Sequence, residues 1–438
     1  MAIKRIAAAN VDVHLDVHTP LRGFTSSPKC NAVDPTSPRK KMRGSSSQRF
    51  REIMKTRLQA QVAKSFSCCS LEKQRFQASL DTIVDSFTSF VQTKYLLRGH
   101  FEGGATAEVF CGFDLAKGKE VALKVIVTDV LKPACSVATG APFPPVKKEI
   151  EAMKALNHPG VVGLLASHCV YLDEDGVAGP FGALYILALE TCPKGDLFDY
   201  VSFAGGFEEY HLRQIVVQLL EALSHCHSSK IIHHDIKLEN LLLDAEYNVK
   251  LSDFGLCANG ANEDISALSK SSGTRGYLPP EILNQTGFCR RDLSGKRLHD
   301  GRKVDSWAVG VVAFTLFHGR PPFEAAVDTD HIYRLLATRQ YRRFWTLHEG
   351  AVRRGEASGT QAPRPSAALR AFLSRALAID PEERPLCADL LTDPFLSHHH
   401  LGPLQVCPGA NDRDDYTAEM HRRWLEQQAL KSKDAPEA

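Results

Sequence analysis

The strongest constraint on this chain is the stretch Ile231–Asn240, IIHHDIKLEN, followed thirteen residues past its last asparagine by Asp253-Phe254-Gly255. Two carboxylates and a carboxamide at these spacings can gather a hydroxyl nucleophile and a pair of Mg²⁺ ions around one polyphosphate, the main demand of ATP-dependent phosphoryl transfer. In that chemistry Asp235 accepts the proton of the attacking hydroxyl and Lys237 neutralises charge on the moving phosphoryl group. Asn240 and Asp253 supply hard oxygen donors to metal. A lone Asp is ordinarily a helix cap or a loop residue, but chance matches the ordered set H-x-D-x-K-x-x-N then D-F-G poorly.

These residues resemble the eukaryotic protein kinase family, and the likeness runs from about Tyr95 to His398 with the motifs in the family's order. It implies an α+β, bilobal protein kinase fold. A small antiparallel-sheet N-lobe with an αC helix would span residues 95–190, and a larger, mainly helical C-lobe residues 191–398. Val121-Ala122-Leu123-Lys124 is similar to the family's V-A-I-K strand, whose alternating apolar residues deliver Lys124 toward the phosphates. Glu149, in KKEIEAMKALNHPG, stands where the family's αC glutamate pairs with that lysine. Ile150, Met153 and Leu156 give the helix an apolar face, and Asn157-His158-Pro159 stops it.

The phosphate-covering loop is the weakest match. The pattern G-x-G-x-x-G-x-V falls on Glu102 to Val109, where Gly104 keeps the central glycine and Gly103 can share its work of letting backbone N–H groups approach phosphate. Glu102 and Ala107 replace the outer glycines. Glu102 either repels phosphate or points to water, and a Gly-Gly pair taken alone is usually a hairpin turn.

ALYILALETCPKGDLFDYV resembles the last N-lobe strand, the hinge and the following helix. By that likeness Leu189 is the gatekeeper, Glu190 to Cys192 the adenine-binding hinge, and Val109, Ala122 and Leu242 the apolar sandwich around the base. Each of these three is equally at home in a plain core. Asp196 and Glu239 occupy positions that in basophilic relatives meet an arginine upstream of the acceptor. The alternative is that Asp196 contacts only the ATP ribose and Glu239 only solvent.

Gly273-Thr274 and Pro279-Pro280-Glu281, a variant of the A-P-E anchor, resemble serine/threonine kinases together with Lys237. The wording KLEN, GDLFDY and DPEERP leans toward the calmodulin-dependent and AMP-activated-like group. Glu281 is expected to pair with Arg384, and Asp305 to brace the catalytic loop from a buried helix. The arginine expected before the catalytic Asp is His234, and the usual phosphothreonine position is Lys270. Arginine holds phosphate bidentately whereas a neutral imidazole does not, so activity is expected not to wait for phosphorylation there. Ser269, Ser271 and Ser272 remain alternative sites in a serine-rich loop.

With 438 residues, 43% of them hydrophobic, the chain can carry one two-lobed unit plus tails. A formal net charge of +2 indicates no polyanion partner, hence no nucleic acid. Twelve cysteines without a C-x-x-C pair suit reduced thiols in a cytoplasmic or nuclear compartment. No apolar run approaches the ~20 residues of a membrane helix, and acids at Asp12 and Asp16 interrupt any signal-peptide core. Residues 1–65 read as a disordered arm rich in Ser, Pro and basic residues. Its cluster around Arg39-Lys40-Lys41 is either an import or acidic-partner patch or a solvated charge run.

Residues 66–94 read as a helical extension, with Phe76, Leu80, Ile83, Val84, Phe87 and Val91 at helical spacing. A tail, 399–438, follows the catalytic unit. A helix over 414–433 places Tyr416, Met420 and Trp424 on one face, a pattern open to calmodulin or another regulatory partner, although Glu419 and Glu426 dilute its charge and the apolar face is short. The segment Phe288 to Lys303 is either a docking insert or a tolerated surface insertion. The expectation is an ATP- and Mg²⁺-dependent serine/threonine protein kinase acting on protein substrates. The rival, motivated by Glu102, Ala107 and His234, is a pseudokinase scaffold that binds without turnover.

Overall fold

The computed structural model describes residues 46–65, 71–103, 107–127, 144–171, 183–204, 206–259, 275–283, 290–291, 297–298, 300–349 and 364–397. Expectations for Gly104, Ser269–Thr274, half of Phe288 to Lys303 and the helix 414–433 lie outside these residues. The chain divides into two units. One comprises the residues up to Pro144 together with Leu164–Glu190, and the other comprises Pro145–Gly163 and everything from Thr191.

The first unit begins with helices α1 (Ser46–Ser65) and α2 (Leu71–Lys94), followed by strands β1 (Tyr95–Gly103), β2 (Ala107–Asp114) and β3 (Lys119–Val127). After α3 (Pro144–Ala155), which belongs to the second unit, β4 (Leu164–Tyr171) and β5 (Ala183–Leu189) complete a five-stranded antiparallel sheet in the order β1-β2-β3-β5-β4. Strand alternation decides its faces. Val121, Leu123, Val125 and Val127 of β3 are buried on one side, which leaves Ala122 and Lys124 on the other. The buried side packs on α2 through Leu80, Ile83, Val84, Phe87 and Val91, the apolar face expected from the sequence.

Ser46–Ser65 falls in the span assigned to the disordered arm, yet it forms a helix. Phe50, Met54 and Leu58 recur every four positions and are all buried against the sheet and α2, with Ile53 partly buried beside them. Isolated, so polar a helix would be marginal; tertiary burial of one narrow stripe sustains it.

The second unit is mainly helical. Helices α4 (Leu197–Ala204) and α5 (Glu209–Ser228) precede four short strands, β6 (Ile231–Ile232), β7 (Leu241–Leu243), β8 (Val249–Leu251) and β9 (Ala258–Asn259). The remaining elements are α6 (Pro280–Leu283), β10 (Arg290–Arg291), β11 (Arg297–Leu298), α7 (Gly301–His318), α8 (His331–Ala337), α9 (Tyr341–Glu349), α10 (Ala367–Ala376) and α11 (Cys387–Leu390). Helix α7 is apolar on nearly every side and buried along its length, as a central core helix must be. Asp300 caps its start by accepting from the Arg302 amide, and Gly319, at φ 69°, closes it in the left-handed conformation.

Helix α3, expected with the sheet lobe, belongs with this unit because its end and the following turn are tied to β8. Val162 N–H donates to the Leu251 carbonyl at 2.9 Å, and Leu251 N–H to the Gly160 carbonyl at 2.8 Å. Glu281 and Arg384 form the expected ion pair, fully buried, with guanidinium nitrogens 2.8 and 3.2 Å from the two carboxylate oxygens.

Candidate active site

The loop between β6 and β7 carries three of the candidate residues, and its backbone is held from below. Asp305, fully buried on α7, accepts from the His233 amide at 3.0 Å and the His234 amide at 2.9 Å. His234 adopts φ 65°, a costly value for a non-glycine residue that this pair of hydrogen bonds offsets. The same carboxylate accepts from Nε2 of His227, at the end of α5, at 2.8 Å. Burial alone would raise the Asp305 carboxyl, but the hydrogen bond and charge of His227 bring it net below its ordinary value. Burial is the largest influence on His227 and lowers it, but the hydrogen bonds and charges of Asp305 and Cys387 together outweigh it and push it up to about 10.

His233 fixes the loop from within. The Asp235 amide donates to its Nδ1 at 3.2 Å, so Nε2 carries the proton and donates to the Ser252 carbonyl at 2.9 Å; its ring meets Phe254 edge-on. Lys237 Nζ donates to Asp235 Oδ2 at 2.7 Å, and Asn240 Nδ2 donates to the same oxygen at 3.0 Å and to the Asp235 carbonyl at 2.8 Å. Ser252 then donates to the Asn240 carbonyl twice, from its amide at 2.9 Å and its hydroxyl at 3.0 Å. Asp235, Lys237 and Asn240 are therefore brought together, and Asn240 is pinned to the immediate neighbour of Asp253.

Asp253 is exposed, sits at φ 61° and accepts from the Gly255 amide at 3.2 Å. Gly255 lies close against both acids: a Cβ there would stand 3.1 Å from Asp253 Oδ1, which would have to give by a few tenths of an ångström, and 3.7 Å from Glu149 Oε2. The Glu149 carboxylate, itself buried, thus reaches the Asp253-Phe254-Gly255 turn from α3.

These residues fit a divalent ion of the Mg²⁺ kind. The Asn240 amide nitrogen is committed to Asp235, which turns its carbonyl oxygen the other way, and Asp253 offers an exposed carboxylate. Among the described residues no three His, Cys, Asp or Glu cluster as a ready-made metal cage.

Asp196 caps α4 by accepting from the Asp199 amide at 2.9 Å and is bridged to Leu242 of β7. Its carboxyl is pushed up to about 6, mainly by burial and further by Asp199 and Glu239, although the Asp199 amide opposes the shift. In the first unit, Val109 pairs with Lys124 and Ala122 with Leu189 across the sheet ladder, with Val109, Ala122, Lys124 and Leu189 only partly buried. Glu190 and Cys192 follow β5, and Gly103 ends β1 opposite Glu108.

Sequence reasoning included His233 in the lead motif without giving it a role, and missed His227, Ser252 and Gly301. The His234 ring packs so closely on Gly301 that a Cβ there would lie 2.4 Å from Nε2. His227 had one readable signal: it lies four residues after Leu223 and seven after Leu220, on the buried side of α5.

A family model described as protein kinase domain matches residues 100–396. The chain is 30% identical over 249 residues to NUAK family SNF1-like kinase 1 of Mus musculus, covering 57% of this chain and 33% of that protein. It is 33% identical over 260 residues to CBL-interacting protein kinase 24 of Oryza sativa subsp. japonica, covering 58% and 51%. A third relative, CBL-interacting serine/threonine-protein kinase 26 of Arabidopsis thaliana, is 35% identical over 223 residues, covering 50% and 44%. The chain thus spans about a third to a half of the length of these relatives.

Proposed function

Because the chain belongs to the protein kinase domain family, matched over residues 100–396, we propose that it transfers the γ-phosphoryl group of ATP to serine or threonine hydroxyls of protein substrates. The observation that carries this reading is the convergence of Lys237 and Asn240 on Asp235, over a loop braced by Asp305. Asp235 accepts the hydroxyl proton, and Lys237 lies 2.7 Å from it, where it offsets negative charge on the transferred group. Asn240 and Asp253 would hold Mg²⁺, whose contribution when bound is to neutralise charge on the phosphate oxygens. Lys124 and Glu149 are the proposed pair that orients the nucleotide. Gly103 and Gly104 would approach its phosphates, and Val109, Ala122, Leu189, Glu190, Cys192 and Leu242 would enclose adenine.

Asp196 and Glu239 give this reading a substrate preference, a basic residue upstream of the acceptor. Support comes from the mutual repulsion that helps raise Asp196, which a guanidinium would relieve. His234 supports activity without activation-loop phosphorylation, since its ring is buried on Gly301 and leaves no arginine to receive a phosphate. A regulatory protein partner, of the sort recorded in the plant relatives' names, belongs to the proposal, with residues 414–433 as the candidate contact. Among the described residues no helix is long and apolar enough to cross a membrane, and a cytoplasmic or nuclear place of action is proposed.

The test is incorporation of labelled phosphate from ATP into a serine peptide with an upstream arginine, in the presence of Mg²⁺. ATP binding without turnover across a range of Mg²⁺ concentrations would favour the scaffold reading instead.

A further inference from the structure

The N-terminal helix reaches the phosphate-covering hairpin through one carboxylate. Glu108, on β2, lies opposite Gly103 in the ladder and directly precedes Val109. Its side chain is nearly buried. Oε1 accepts from Arg57 Nη1 of α1 at 2.9 Å, and Oε2 lies 2.9 Å from His100 Nε2 on β1. Strand alternation puts Glu108 on the same face as Phe110, away from Val109, and the Phe110 ring packs in tilted contact with both Phe50 of α1 (4.6 Å between centroids) and His100 (4.9 Å). On α1, Phe50, Met54, Arg57 and Leu58 share one face, so the apolar stripe that docks the helix also delivers the guanidinium.

A carboxylate placed this deep is costly unless both oxygens are engaged, and here each strand of the hairpin and the helix contribute to engaging them. The hairpin is also the part of the chain where Glu102 and Ala107 replace glycines that would otherwise set the loop's conformation. We propose that Arg57 is a positioning residue for the phosphoryl donor: through Glu108 and His100 it fixes the β1–β2 hairpin, so that helix α1 sets nucleotide affinity. This rests on the kinase reading, whereas the clamp itself stands on the geometry within the first unit.

The experiment compares the full chain with R57M, R57K, E108Q and R57M/E108Q, at a temperature where near-ultraviolet circular dichroism shows each to be folded. Expected for R57M is an ATP KM raised about 5-fold or more, with kcat and peptide KM within about twofold, partial recovery in R57K, and no additional loss in the double variant. Amide exchange over residues 100–110 should accelerate in R57M. A merely structural pair would lower Tm and leave the ATP KM within twofold, and that result overturns the proposal. Should R57M fail to fold, R57K and E108Q carry the same comparison. If the unaltered chain neither binds nor consumes ATP, the kinase reading fails. Exchange then decides the clamp, with acceleration supporting it and unchanged rates overturning it.

Discussion

His227 and Asp305 form a buried ion pair, Nε2 to Oδ2 at 2.8 Å, directly beneath the two backbone amides that shape the loop carrying Asp235. Removing one partner strands the other charge in the core, so H227Q should lose about 3 kcal/mol of stability at pH 6. His227 is raised to about 10, so the pair's contribution is complete below the ordinary imidazole value and is lost as pH rises through 10. The stability gap between the unaltered chain and H227Q, measured by denaturant melts, should therefore narrow steadily from pH 6 to pH 10. A constant gap would mean the imidazole is neutral.

Asp196 titrates with the opposite consequence. Its carboxyl, raised to about 6 chiefly by burial, favours the fold only while protonated, so this contribution is present below about pH 4 and disappears as pH rises through 6. D196N, which keeps an Asn cap on α4, should gain on the order of 1–2 kcal/mol at pH 8 and nothing at pH 4. If this carboxylate also receives an arginine, affinity for an arginine-containing peptide should rise between pH 5.5 and 7.5 in the unaltered chain. It should be flat with pH in D196N.

Gly301 is a packing requirement, and the loop depends on it. A methyl group there would stand 2.4 Å from His234 Nε2 and 2.9 Å from Ile232 Cγ2, both buried. G301A should cost about 1–3 kcal/mol by overpacking, and it should lower kcat more than either KM because it displaces the residue next to Asp235. Thermal melts and steady-state kinetics check the two effects separately.

Activity should survive loss of Ser269, Ser271 and Ser272 in the loop after Asp253. The chain treated with phosphatase, and the triple variant S269A/S271A/S272A, should each keep kcat within about twofold of the untreated protein. A loss of tenfold or more in the triple variant, with the melt unchanged, would show that a phosphoserine does what His234 was inferred to make unnecessary.

Chemistry was more legible in the sequence than contact. Asp235, Asn240 and Asp253 announce themselves because their spacing is local and their donor types are few, and β3 does so through its alternation around Lys124. The Glu281–Arg384 pair and the Asp305 brace were also readable, as what the family resemblance implies. Helix α1 was not: a few apolar residues, Phe50, Ile53, Met54 and Leu58, in a polar stretch look like an arm until a sheet face exists to bury them. The roles of His227, Gly301 and Arg57 escaped for a related reason. Each is defined by a partner dozens of residues away, His227 by Asp305, Gly301 by His234 and Arg57 by Glu108, and no local periodicity encodes such pairings.

The most direct measurement compares phosphate transfer from labelled ATP to an arginine-containing serine peptide by the unaltered chain and by D235N, both shown to be folded and to bind ATP. The proposed mechanism predicts Mg²⁺-dependent transfer that falls by about 10²–10⁴ in D235N with nucleotide affinity retained. Equal transfer by the two proteins, or none by an unaltered chain that binds ATP, would contradict it.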